Sequence, residues 1–211
     1  NLTAGAVPAG LMALISAPGV ATALTGLGAG LGLLLALGRA PAAATLGLWA
    51  VWAALWHRNV FTLNPSVPFV GLLLLSVWAL PRRGPVPADL KRVLWLVLAV
   101  GYGYSGLTKL ASPSWRSGEA LGLILTGPLA RPSAWVAWLG AQPELTRWLT
   151  WATLGAEIAV LPLALHRRTR PWAWGAMVGL HAGILTSIPF AELTLGMLVV
   201  HLWTAEPAWF A

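Results

Sequence analysis

Lysine is scarce in this chain: of thirteen lysines and arginines, only Lys91 and Lys109 are lysines. Lys109 stands near the end of an apolar run that begins around Val93, inside a segment from Gly101 to Gly118 rich in glycine, serine and tyrosine. That position puts a charge at membrane depth, where insertion costs about 2.5–3.5 kcal/mol at a helix centre and less toward the ends. At helical spacing Tyr102, Ser105, Gly106 and Lys109 share one face. The face is small and polar, so it belongs inside a helix bundle and not against lipid. Two readings of Lys109 follow. It is either a snorkelling lysine with its ammonium among the headgroups, or an interior amine that can give up its proton when desolvated and act as a base.

Two further ionisable side chains fall inside apolar stretches. Glu157 lies nine residues after Trp148, about 13 Å along a helix, with Thr150 and Thr153 on its face. A carboxylate there must be paired, protonated or facing a wet cavity. His181 lies nine residues after Trp172, at a similar depth counted from the other side. We therefore expect Glu157 and His181 to meet, either as a hydrogen bond that locks two helices or as part of a proton path or cofactor contact. His201 shares a face with Thr194, Met197 and Thr204 and reads as a packing residue, while His57 and His166 read as interfacial loop residues. The four histidines stand in separate segments, no HxxxH or HxxE pair occurs on one helix, and cysteine is absent, so no metal site is expected.

The elements that hold these residues follow from composition. The 211 residues are 58% hydrophobic and only 9% charged. Apolar runs without two-residue alternation exclude barrel strands and predict an all-α, polytopic transmembrane helical bundle of about six or seven membrane helices plus short interfacial helices. Spans are expected over 20–37, 42–56, 65–80, 90–111, 147–165, 172–187 and 191–204, with Asp89 as an N-cap; residues 2–17 read as the end of a helix or an interfacial one. Opening on Asn1 and not Met leads us to expect an incomplete N-terminus. Gly26, Gly28, Gly30 and Gly32 give two small-xxx-small frames suited to close helix contact. Residues 112–146 hold four prolines and only short apolar pieces, read as short helices at the membrane surface over 117–126 and 133–139. The tryptophans gather near span ends, as an aromatic belt does before it is a quinone box. A net charge of +7 held in short loops fits the positive-inside rule better than nucleic-acid binding.

The run Tyr104, Ser105, Gly106, Leu107, Thr108, Lys109, Leu110, followed by Trp115 and by Gly118 with Glu119, Ala120 and Leu121, resembles the membrane domain of the vitamin K-dependent gamma-carboxylase family, called HTTM in its bacterial relatives. Trp56, His57, Arg58 and Asn59 ahead of a span ending at Pro81 resemble the family's arginine–asparagine corner. Glu157, and His181 followed by Phe190 and a last apolar helix, fit as well. The resemblance implies one HTTM-like domain over residues 1–211 with an active site opening to the non-cytoplasmic side. It implies reduced vitamin K or menaquinol as the cofactor, oxygenated to a strong base that takes a proton from a glutamate gamma carbon before carbon dioxide adds. Lys109 would deprotonate the hydroquinone, with Glu157 and His181 as further catalytic residues and Tyr102, Ser105 and Trp115 against the quinone. The alternative expectation is a non-catalytic integral subunit, its apolar glycine- and tryptophan-rich faces packed on partner membrane proteins in a larger complex.

Placing the 81–92 loop in the cytoplasm puts eight cations inside and five outside, with residues 112–146 on the non-cytoplasmic side of what the reading makes a bacterial inner membrane. A reporter fused after Gly84 or Thr169 is accordingly expected to read cytoplasmic, and one fused near Gly127 periplasmic. A cytoplasmic signal from the fusion near Gly127 would reverse the orientation and the side on which Lys109 opens.

Overall fold

Long apolar runs broken by proline and glycine leave a chain little choice but helices joined by tight turns. A computed structural model describes residues 9–17, 19–58, 66–79 and 87–210, and they form helices without a strand. The described residues divide into two compact units, 1–84 and 85–211. Within the first lie α1 (Ala9–Ser16), α2 (Val20–Ala36), α3 (Pro41–Arg58) and α4 (Ser66–Ala79). Within the second lie α5 (Ala88–Leu110), α6 (Pro113–Ser117), α7 (Ala120–Thr126), α8 (Ala134–Gly140), α9 (Pro143–Leu165), α10 (Arg170–Ser187) and α11 (Ala191–Thr204), closed by a 3₁₀ turn at Pro207–Trp209.

Two helices, α5 and α9, are long and apolar enough to cross a membrane. Each has 23 residues, about 35 Å against a hydrocarbon core of about 30 Å. Among the shorter apolar helices, α2 has 17 residues and α11 has 14. Asp89 is not an N-cap; α5 starts at Ala88, two residues earlier than expected, Pro87 occupies the cap, and Asp89 sits in the first turn bonded to Arg92. A carboxylate there suits the helix dipole. His57 is in the last turn of α3 and not in a loop. Asn59, Pro65, Pro81 and Gly84 lie outside the described residues.

In the first unit α2 packs on α3, and α3 on α4. The contact uses the expected glycine frames only in part. A Cβ on Gly28 would meet Val51 at 3.3 Å, whereas Gly26, Gly30 and Gly32 face open space. The tighter approach comes from α3, where Gly47 receives Leu31. Trp52 ties α4 to α3 by donating its indole N–H to the Val67 carbonyl at 2.9 Å.

The second unit is built on an antiparallel pair, α5 and α9. Gly103 faces Leu161 and Gly106 faces Ile158, so the sequence runs in opposite directions along the contact. This register offsets the helices, and the Pro143 end of α9 projects past the end of α5. Helices α6, α7 and α8 wrap that projecting half. Leu121 N–H donates to Thr150 Oγ1 at 3.1 Å, and Trp151 Nε1 donates to the Arg116 carbonyl at 3.1 Å. Gly118, in the left-handed region at φ 84°, ends α6 against Arg147 and Trp151, where a Cβ has no room. Arg131 closes the other side: its Nε donates to the carbonyls of Leu185 and Ile188 at the end of α10.

The α5–α9 spacing depends on Gly106, because a Cβ there would lie 2.7 Å from Ile158 Cγ1 and 3.0 Å from the Ile158 backbone nitrogen. Gly106→Val is expected to lower stability by about 1–3 kcal/mol, the usual cost of overpacking, read as a lower thermal midpoint in detergent. Gly101→Ala, where no atom lies within 4 Å, is the control and should leave the midpoint at or above that of the parent.

Candidate functional site

Because Tyr102, Gly106 and Lys109 recur at helical spacing, α5 turns them all toward α9, α10 and α11. Tyr102, Gly103 and Gly106 are buried. Lacking side chains, the two glycines let α9 approach until Glu157 stands opposite Lys109. Lys109 Nζ lies 2.6 Å from Glu157 Oε2 and 2.6 Å from Ser105 Oγ. The Glu157 side chain is 7% exposed and that of Lys109 22%. An ammonium has three N–H donors, and these two partners use two of them. Trp115, carried by α6, places its ring centroid 5.1 Å from Nζ, within cation–π range. The result is a charge pair closed on its inner side and partly open on its outer side.

Deeper on the same face, Tyr102 stands between two histidines. Its hydroxyl oxygen is 2.7 Å from His181 Nε2 and 2.8 Å from His201 Nε2. A phenol has one proton, so one histidine accepts from it and the other donates to it, which requires opposite tautomers. Both Nδ1 atoms, and Thr194 Oγ1 on α11, are buried without a protein partner among the described residues.

The expected Glu157–His181 contact does not form. Glu157 accepts from Lys109, and His181 shares its hydrogen bond with Tyr102. The α5–α9 register, set by the two glycines, brings Glu157 level with the last turn of α5, whereas the α10–α11 hairpin brings its histidines level with Tyr102. The structure thus joins Lys109, Ser105, Glu157 and Trp115 in one group, and Tyr102 with His181 in another. His201, read from sequence as a packing residue, is an equal member of the second group. A signal for it was present. His181 and His201 stand seven and eleven residues from the ends of the Ile188–Phe190 turn, a difference of about one helical turn. Their ring centroids are 6.0 Å apart, near enough for one phenol to bridge them.

The Lys109 group fits an oxygen-bearing aromatic head group such as a quinol: one ammonium N–H remains, the side chain is partly exposed, and a flat indole lies alongside. One cavity lies at the start of α5 and another along the 125–137 segment. Among the described residues no cluster of three or more histidine, aspartate or glutamate side chains is placed to hold a metal ion. Comparison with protein families, with curated proteins and with solved structures gave no match.

Removing the charge of Lys109 leaves the Glu157 carboxylate buried and alone. Lys109→Met is expected to lower unfolding free energy by about 3 kcal/mol, the scale for breaking one half of a buried pair. Lys109→Met combined with Glu157→Met, which removes both charges, should recover most of it. Equal loss in the single and double variants, by denaturant titration in detergent, would mean that the pair does not carry the stability.

Proposed function

We propose that the chain is an integral membrane protein of the bacterial inner membrane, with six or seven spans and short helices on the non-cytoplasmic side. We propose further that Lys109 and Glu157 form an acid–base centre for a membrane-borne quinol, as in the gamma-carboxylase-like family the sequence resembles. The observation that carries the second step is the Lys109–Glu157 pair itself. In a chain whose usual cation is arginine, a lysine is held 2.6 Å from a buried carboxylate with one donor to spare. Across so short a hydrogen bond the ammonium proton can pass to Glu157 Oε2. That leaves a neutral amine at Nζ to accept a proton from a hydroxyl bound beside it. Ser105 Oγ orients the amine, and the Trp115 ring offers a flat wall. A bound quinol would supply the reducing equivalents for oxygenation, and its oxygenated product the strong base that carboxylation requires.

The embedding is supported by an inverted distribution of side chains in the second unit. Thr150, Glu157, His181, Thr194, His201 and Thr204 are buried, while Leu96, Val97, Val100 and Leu107 along α5 are exposed. Water would favour the reverse; lipid favours this arrangement.

One observation favours a second reading. Large apolar side chains, Trp148 and Trp172 among them, face outward. A non-catalytic subunit packed on partner helices in a larger membrane complex would look the same.

The experiment is oxygen uptake and labelled carbon dioxide incorporation by the protein in nanodiscs with menaquinol and a glutamate-containing peptide. The expected result is quinol-dependent turnover that falls about 10²–10⁴-fold in Lys109→Met, the range for loss of a general base. The same loss is expected in the more stable Lys109→Met, Glu157→Met variant. Absence of turnover in the parent, with stoichiometric membrane partners in gentle purification, would establish the subunit reading instead.

A further inference from the structure

A cavity of about 290 Å³ opens where the start of α5, the α9–α10 turn and the end of α11 meet. Lys91, Arg92, Arg167 and Arg170 line it, with Glu206 as the one lining carboxylate. Glu206 reaches Arg170 only at 4.0 Å, and nearby Asp89 is taken by Arg92 at 3.0 Å. Four cations against these two carboxylates leave a net charge of +2, and among the described residues neither Lys91 nor Arg167 has a carboxylate partner. The wall is fixed in place. Arg170 Nε donates to the Ala164 carbonyl at 2.7 Å, its guanidinium lies 5.9 Å from the Trp95 ring centroid, and Trp95 Nε1 donates to the Thr204 carbonyl at 3.1 Å.

We infer that this cavity binds a phosphate-bearing anionic head group. Unpaired cations converging on a concavity need an anion, and guanidinium groups match the oxygens of a phosphate in a way that single ammonium groups do not. The volume is at the low end of ligand cavities, roughly 300–1,000 Å³, which suits a head group whose apolar remainder stays outside. The buried Trp95 indole backs the cations. Lys91 and Lys109 are eighteen residues apart on α5, about 27 Å by helical rise, so the cavity lies toward the opposite end of the helix from the Lys109–Glu157 pair. On the orientation proposed above, that end meets the cytoplasmic leaflet, where anionic phospholipids concentrate. The lipid as source rests on that membrane reading; the phosphate chemistry does not.

The full chain in neutral detergent is titrated with phosphatidylglycerol, phosphatidylcholine and inorganic phosphate, with binding read by native mass spectrometry and by thermal shift. Phosphatidylglycerol is expected to bind and to raise the melting temperature, and phosphatidylcholine to do so at least tenfold more weakly. Each cation removed should weaken binding about fivefold, so Lys91→Gln with Arg167→Gln lowers affinity about 25-fold, and Glu206→Gln raises it. Arg167 is exposed and Lys91 half-buried, and neither bonds Trp95 or Arg170, whose hydrogen bonds run to Thr204 and Ala164. Binding of phosphatidylglycerol alone assigns the site to a lipid. Binding of inorganic phosphate with the same dependence on Lys91 and Arg167 assigns it to a soluble phosphate compound. Equal binding of the two lipids, no binding of any ligand, or affinity unchanged in the double variant overturns the site. None of these outcomes depends on quinol turnover at Lys109.

Discussion

Gly103 and Gly106 fix the distance between α5 and α9, and the rest of the second unit follows from that distance. With no side chain at either position, Leu161 and Ile158 come up against the α5 backbone. Only at that separation can Lys109 and Glu157 close a 2.6 Å contact. The same register leaves the first half of α9 uncovered by α5, and the short helices α6 to α8 pack there. Helix packing between small residues gains from dispersion and close backbone approach more than from exclusion of water. That driving force operates in lipid, where the hydrophobic effect between helices does not.

The interior of this unit is polar to a degree that would be unfavourable unless each group were paired. Thr146, Thr150 and Thr204 return their hydroxyls to carbonyls of their own helix. Trp95 and Trp174 send indole N–H groups to the last carbonyls of α11. Lys109 neutralises Glu157, and Tyr102 satisfies one nitrogen of each histidine. Three buried side-chain atoms among the described residues have no protein partner: the two histidine Nδ1 atoms and the Thr194 hydroxyl. Buried polar atoms without partners are uncommon in proteins and tend to mark functional points or sites of ordered water.

Charge in this unit is segregated along the helix axes. The start of α5 and the α9–α10 turn carry unpaired cations around a cavity, whereas Lys109 near the far end of α5 is matched by a carboxylate. A cation that meets water or headgroups can remain unpaired; one that faces the bundle needs a partner.

The helical class of the chain was legible from its apolar runs, because a backbone with few polar neighbours must satisfy its own hydrogen bonds. So were most helix limits in the second unit. The expected 191–204 helix is α11 without change, α9 and α10 differ only at their starts, and α5 differs by two residues at its start and one at its end. The special status of Lys109, Glu157 and His181 was also readable, since an ionisable residue in an apolar run needs a reason wherever it packs. Pairing was not. Spacing along one helix fixes a face and a depth, but the register between helices is set by which small residues meet which large ones. Gly106 against Ile158 was not visible in either segment alone. For that reason the sequence suggested Glu157 with His181, while the tertiary structure gave Glu157 to Lys109 and brought His201 to Tyr102. The same holds for the glycine frames of α2: four glycines were available, and the fold used one of them together with Gly47 of the facing helix. Small residues permit close contact, and only the partner surface decides where it occurs.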